Sequence, residues 1–136
     1  MKVEVEITTN AYDEPYRTSA VYSNDDSAVR FRWTQLHEGE NKPSVYDAEY
    51  DRTSGKALIR RSGEVSTTLE FIAGQASFGK VETVYGTIPV DIRTEYINVP
   101  SAVSPVFEIC YKMKNSGSDL IENTFSIKML LQKTQA

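Results

Sequence analysis

Apolar and polar residues alternate with a period of two along most of the chain, which places successive side chains on opposite faces of a β-strand. Val3, Val5 and Ile7, for example, alternate with charged residues. Runs of this kind have their apolar positions within residues 3–7, 29–33, 46–50, 57–61, 69–73, 88–94, 107–113 and 121–131. The last run also fits a short amphipathic helix, but strand parity places more of its apolar residues on one face. We therefore predict a strand there.

Turn-forming residues separate these runs at fairly even spacing. Gly and Asn tolerate positive φ, while Asp and Ser side chains bond the nearby backbone. Such residues occur at Asn24–Asp26, Gly39–Pro43, Thr53–Gly55, Ser62–Gly63, Gly74, Gly86 and Asn115–Gly117. Many short alternating strands between regular turns are typical of a β-sandwich or barrel. We predict an all-β fold in which residues 1–136 form one antiparallel β-barrel domain of about 8–10 strands.

Composition narrows the class of function. The chain has 136 residues and a formal net charge of -4, which argues against a basic surface for nucleic acid or anionic lipid. The N-terminal residues do not read as a signal peptide, and no run reaches the ~20 apolar residues of a membrane-spanning helix. Cys110 is the single cysteine, so an internal disulfide is excluded. We expect a cytoplasmic protein that does not insert into membranes.

Several short motifs resemble a family of small bacterial proteins of unknown function, the YwiB-like proteins. The matching segments are Leu58–Gly63, Leu69–Phe71 with Gly74, Tyr85–Thr94 and, more loosely, Ile109–Tyr111. The resemblance implies a calycin-type (lipocalin-like) barrel. It implies no activity, because the family is uncharacterised and a shared fold does not transfer function.

Arg61 stands out because strand parity puts it on the same side as Ala57 and Ile59, the apolar side. A guanidinium keeps its charge, so burying it requires a partner. One interpretation is a ligand carboxylate or phosphate bound inside the barrel. The other, which we favour, is structural: Arg61 stacks on an aromatic ring such as Trp33, or caps carbonyls, and closes one end of the barrel.

Five aromatic residues share the predicted inner face: Trp33, Tyr46, Tyr50, Tyr96 and Tyr111. Their polar groups could orient a ligand in an apolar cavity. The alternative is plain core filling, which small barrels favour because their interior leaves room for at most one small ligand.

Residues suited to catalysis are sparse. His37 is the single histidine, in a polar stretch typical of an exposed loop, and Cys110 has the parity of the outer face beside lysines that could lower its pKa. No phosphate-binding glycine loop or metal-ligand cluster is present. We predict no catalytic residue, no metal and no cofactor.

The outer face carries charges of opposite sign on three consecutive strands: Arg30 and Arg32, then Asp47, Glu49 and Asp51, then Lys56 and Arg60. We interpret them as a solvated wall of cross-strand ion pairs.

The sequence as a whole favours a non-enzymatic binder of a small, partly apolar acidic ligand. Two alternatives stay open: an interaction or regulatory module with a filled core, which would use a protein partner or a homodimer, and a hydrolase or isomerase with a pocket at the barrel mouth.

Overall fold

The computed structural model describes residues 1–10, 13–115 and 120–130. These residues form ten β-strands and contain no helix: β1 (Lys2–Thr9), β2 (Tyr16–Asn24), β3 (Ala28–Gln35), β4 (Ser44–Asp51), β5 (Lys56–Ser62), β6 (Ser66–Ile72), β7 (Ala76–Thr83), β8 (Gly86–Asn98), β9 (Val106–Asn115) and β10 (Ile121–Met129). None of the described residues therefore belongs to a helix that could cross a lipid bilayer.

Every strand pairs antiparallel with the next one along the chain, and β1 pairs with β10 to close the barrel. The closing register runs from Val5 opposite Met129 to Thr9 opposite Phe125. The prediction of an antiparallel β-barrel is confirmed, with the strand count at the upper end of the predicted range. A closed barrel satisfies the backbone groups that an open sheet leaves unpaired at its two edges.

β10 confirms the strand interpretation of the C-terminal run, whereas Leu131 and the predicted turn residues Ser116 and Gly117 lie outside the described residues. Two other strands, β2 and β7, lack a clear alternating signal. In the first half of β7 the inward positions are the small residues Ser77 and Gly79, while Phe78 faces solvent. The apolar pattern that marks the other strands is therefore inverted there, and only Val81, farther along, is an apolar residue with inward parity.

Aromatic rings from non-adjacent strands meet inside the barrel. Phe31 and Phe107 have ring centroids 6.0 Å apart, and those of Phe71 and Tyr111 are 4.8 Å apart. These side chains belong to one continuous buried cluster that includes residues from all ten strands except β7. The middle of the barrel is thus packed with side chains, as expected for a barrel of this size.

A β-bulge in β8 changes which residues face the interior. The register with β9 shifts between Thr94 and Tyr96, so Glu95 and Tyr96 both lie on the outer side, next to Cys110. A bulge inserts one extra residue and so reverses strand parity beyond it. The prediction that Tyr96 faces the interior is therefore wrong: it is 41% exposed, and its hydroxyl donates to Glu108.

Candidate functional site

Arg61 lies inside one end of the barrel, close to the turn between β5 and β6. The loop between β3 and β4, residues 36–43, folds over the same end; we refer to these residues as the β3–β4 loop and to this end as the Arg61 end. The inward parity predicted for Arg61 is correct, since its register partners Tyr46 and Thr67 also face inward. Its charge is therefore held in the barrel mouth, away from the outer wall.

The partner that a buried guanidinium requires comes from the protein itself. Arg61 Nη2 donates to both carboxylate oxygens of Glu40, at 2.7 and 2.8 Å, and Arg61 Nε donates to Ser44 Oγ at 3.0 Å. The Arg61 and Glu40 side chains are only 17% and 11% exposed. The ion pair fixes the β3–β4 loop to the barrel wall and closes the Arg61 end.

Aromatic rings stack beneath this ion pair. The Arg61 guanidinium carbon lies 5.7 Å from the ring centroid of Tyr46, which makes Tyr46, rather than Trp33, its stacking partner. Tyr46 in turn stacks on Trp33 with ring centroids 5.2 Å apart and planes 3° from parallel. Trp33 then faces Phe125, with ring centroids 6.4 Å apart. The charged group thus rests on a column of rings that continues into the core.

His37 belongs to this cluster, although its sequence context predicts an exposed loop. It is half-buried, and its Nε2 forms a 2.5 Å hydrogen bond with the Tyr46 hydroxyl. Burial lowers the pKa of His37, and the positive charge of Arg61 lowers it further, while Glu40 opposes the shift. The imidazole is therefore neutral at physiological pH, and Arg61 carries the positive charge of the cluster.

Two buried polar atoms in the barrel interior have no hydrogen-bond partner among the described residues: Trp33 Nε1 and Thr94 Oγ1. Leaving such an atom unpaired costs about 1–3 kcal/mol. The indole N–H is the more informative of the two, because its ring stacks directly on the Tyr46 that carries Arg61. Its unpaired N–H therefore belongs to the ring column beneath Arg61.

Close packing on one side of the ion pair fixes Arg61 in place. A Cβ at Gly63 would come 2.5 Å from Ser44 Oγ, so a larger residue there would displace the acceptor of Arg61 Nε. Asn41 of the β3–β4 loop donates its backbone N–H to Glu64 at 3.2 Å, which adds a second attachment.

The sequence marks residues 39–43 only as a turn, and neither Glu40 nor Ser44 was predicted as a site residue. The inward parity of Trp33 and Tyr46, extended by one step, would have indicated Ser44.

The other predicted site tyrosines lie away from Arg61. Tyr50 is at the opposite end of β4, where its hydroxyl approaches Gly55. Tyr111 packs against Phe71 in the middle of the barrel, and burial raises its pKa to about 12. With Tyr96 on the outer wall, the structure brings only Trp33 and Tyr46 of the predicted aromatic set to Arg61.

Cys110 points outward as predicted, but it is covered rather than exposed. Its thiol donates to Glu95 at 3.5 Å, and burial, followed by this carboxylate, raises the pKa of Cys110. The expectation that nearby lysines lower this pKa is therefore wrong. Glu95, Cys110 and Glu122 hold potential metal-ligating atoms within 4.8 Å of one another. Glu95 and Glu122 are exposed while Cys110 is buried, and exposed acidic groups commonly lie this close together without a metal.

The outer wall confirms the predicted cross-strand ion pairs of β3 with β4. Arg32 pairs with Asp47 at 2.7 Å and Arg30 with Glu49 at 3.4 Å. Arg60 forms no ion pair with a described residue, although it lines two adjoining surface grooves of about 370 and 230 Å³. Neither groove reaches Arg61, which lies on the other face of the same strand.

Comparison with known proteins identifies the family. The structure is similar to the crystal structure of the YwiB protein from Bacillus subtilis, with a TM-score of 0.65, 16% sequence identity, and coverage of 96% of this chain and 91% of that one. This likeness agrees with a calycin-like barrel and carries the fold alone. No curated protein matches the sequence. The family model described as "Domain of unknown function (DUF1934)" matches residues 3–127, and the chain therefore belongs to the DUF1934 family.

Proposed function

We propose that this protein is a non-enzymatic binder of a small, partly apolar acidic ligand, held at the Arg61 end of the barrel. The observation that carries the proposal is the placement of Arg61, a permanent charge kept nearly buried over the Tyr46 ring. A guanidinium on an aromatic face suits a ligand that combines an acid with an apolar body.

The packed core determines where such a ligand would lie. Rings from opposite walls meet in the middle of the barrel, so a ligand as deep as Tyr111 would have to displace the core. The Arg61 end needs less rearrangement, because what covers it is the β3–β4 loop rather than a strand. The ligand would therefore occupy the mouth of the barrel, with Tyr46 and Trp33 beneath it.

Two neighbouring arginines provide a matched test. Isothermal titration of the protein with hexanoate and benzoate should give a saturable signal that Arg60→Met retains and Arg61→Met loses. Arg60 and Arg61 follow each other on β5 but face opposite sides of the wall, so both variants remove one positive charge from the same strand. Equal binding by all three proteins, or none by the wild type, would rule out the proposed function.

The second candidate function is an interaction module with a filled core, and the position of Arg60 favours it. This cation has no ion-pair partner among the described residues, and it lines both outer grooves. An acidic group of a protein partner or of a second copy would complement it. Sedimentation of the wild type and of Arg60→Glu at increasing concentration tests self-association: a dimer that persists unchanged in the variant would exclude Arg60 from the interface.

A further inference from the structure

We propose that Glu40 is an internal substitute for the ligand's acid, so that the Arg61 site selects a monocarboxylate that displaces Glu40 and the β3–β4 loop. This inference rests on the proposed function and adds to it the ligand's chemical class and the residue with which it competes. Four features of the Arg61 end support it: the geometry of the ion pair, the construction of the loop, the charge of the site and the rings that the loop covers.

Glu40 does not form the strongest hydrogen-bonded pair that the Arg61 guanidinium could make with a carboxylate. Glu40 receives both of its hydrogen bonds from one nitrogen, Nη2, and Nε is taken by Ser44. Nη1 donates to no residue that the structure describes. The strongest arginine–carboxylate pairs are bidentate, with two nitrogens each facing one oxygen. A free carboxylate could adopt that arrangement on Nη1 and Nη2, whereas Glu40 is constrained by its loop.

The β3–β4 loop is built to move more easily than the strands it connects. Among the described contacts it is held by the Glu40 ion pair, by the bond from Asn41 to Glu64 and by the hydrogen bond of His37 with Tyr46. Gly39 adopts a φ of 83°, which gives the loop a turn that other residues rarely make. Segments with few buried apolar contacts open at low free-energy cost.

Charge balance restricts the ligand to a single negative charge. When Glu40 leaves with its loop, the Arg61 guanidinium over Tyr46 is the positive charge that remains on the barrel wall. A monocarboxylate would replace one negative charge by another. A phosphate dianion would bring an excess negative charge, because the described contacts of Arg61 include no second cation.

Displacement of the loop would also uncover the ring column. His37 lies against Tyr46, with the two ring centroids 5.8 Å apart, and Glu40 lies on Arg61 beside it. A flat apolar body could take the place of His37 on that face. A planar aromatic or short-chain monocarboxylate combines these features.

The test removes the Glu40 carboxylate and measures the affinity of the protein for benzoate. Phosphate is measured in parallel as the alternative ligand. Glu40→Ala should bind benzoate at least tenfold more tightly than the wild type, and Glu40→Gln should do so if the alanine variant does not fold. Glu49→Ala is the matched control, since it removes the carboxylate of an exposed arginine pair. Trp33 is the single tryptophan, so its fluorescence reports binding at this end. Phosphate should produce no change.

The possible outcomes distinguish the proposed ligand-binding function from the proposed role of Glu40 as a competitor. If Glu40→Ala and the wild type bind benzoate equally, through Arg61, the ligand-binding function stands and the role of Glu40 as a competitor is wrong. If phosphate binds Glu40→Ala as well as benzoate does, the selection of a monocarboxylate is wrong. If neither protein binds any carboxylate, both proposals fail. Hydrogen exchange on the wild type gives an independent reading: saturating benzoate should speed exchange in residues 37–42, and unchanged exchange would overturn loop displacement.

Discussion

Two arginine–carboxylate pairs of this barrel have the same length and different surroundings. Arg61 with Glu40 and Arg32 with Asp47 both make contacts of 2.7 Å. The first pair is 17% and 11% exposed, whereas the second is 65% and 39% exposed. Water already solvates the exposed pair, so its loss changes little. The buried pair has given up most of its hydration, so each partner depends on the other.

The pairs also differ in what they connect. Asp47 and Arg32 lie directly opposite each other on β3 and β4, whose backbones are joined by ladder hydrogen bonds with or without the ion pair. Glu40 lies on a loop, and its ion pair is one of the described contacts that hold that loop to the barrel. Breaking the exposed pair therefore leaves the architecture intact, while breaking the buried pair releases a segment and uncovers a charge.

The largest effect should follow from removing Glu40. Glu40→Ala leaves the Arg61 charge unpaired in the barrel mouth, and we expect a loss of about 3 kcal/mol in the free energy of unfolding, from the usual cost of orphaning a buried charge. Urea denaturation measures it. The double variant Glu40→Leu with Arg61→Met removes both charges and should recover most of the loss. A double variant as unstable as Glu40→Ala would mean that packing, not charge, is what Glu40 provides.

A smaller effect is expected from crowding the acceptor of Arg61. In Gly63→Ala the new methyl carbon would lie 2.5 Å from Ser44 Oγ. It would therefore push this hydroxyl away from Arg61 Nε. Overpacking of this kind costs about 1–3 kcal/mol. Thermal unfolding checks it, with Gly74→Ala as a contrast in which strain comes from a φ of 75° and no atom is crowded. Only Gly63→Ala should also weaken benzoate binding.

The stability of the buried pair's surroundings should also depend on pH, through His37, whereas the exposed pair has no histidine beside it among the described contacts. His37 faces Arg61, Glu40 and the Tyr46 hydroxyl, and burial lowers its folded-state pKa below the unfolded value of 6.5. Just below pH 6.5 the unfolded chain therefore binds more protons than the folded protein does. The contribution of the neutral His37 to the free energy of unfolding is fully present above that pH and is lost as pH falls. The wild type should lose more stability between pH 7.5 and 5.5 than His37→Gln, in urea denaturation at each pH. Identical losses would contradict a buried, neutral imidazole.

The smallest effect should come from the exposed pair. Asp47→Ala removes the partner of Arg32, yet water can replace the carboxylate, and the β3–β4 ladder persists. We expect the midpoint of urea denaturation to remain within experimental error of the wild type. A loss comparable to that of Glu40→Ala would show that burial does not explain the difference between the two pairs.

Sequence reasoning predicts the barrel well because period-two alternation is a direct consequence of strand geometry. It also places Arg61 and Trp33 on the inner face. It fails where parity is interrupted: the bulge before Tyr96 reverses the faces, and the small inward residues Ser77 and Gly79 hide β7. Glu40 could not be predicted, because a loop has no periodicity and the contact depends on how residues 36–43 fold back over the barrel.

The seam between β1 and β10 has a consequence for how the chain folds. The other nine pairings join consecutive strands and can form as local hairpins, but the seam brings Val5 to Met129. Because synthesis proceeds from the N-terminus, β1 has an unpaired edge until β10 is made. We expect closure to be a late step, and an open edge of this kind invites pairing with another chain. Exchange of β1 between two molecules would then give a domain-swapped dimer without any new interface.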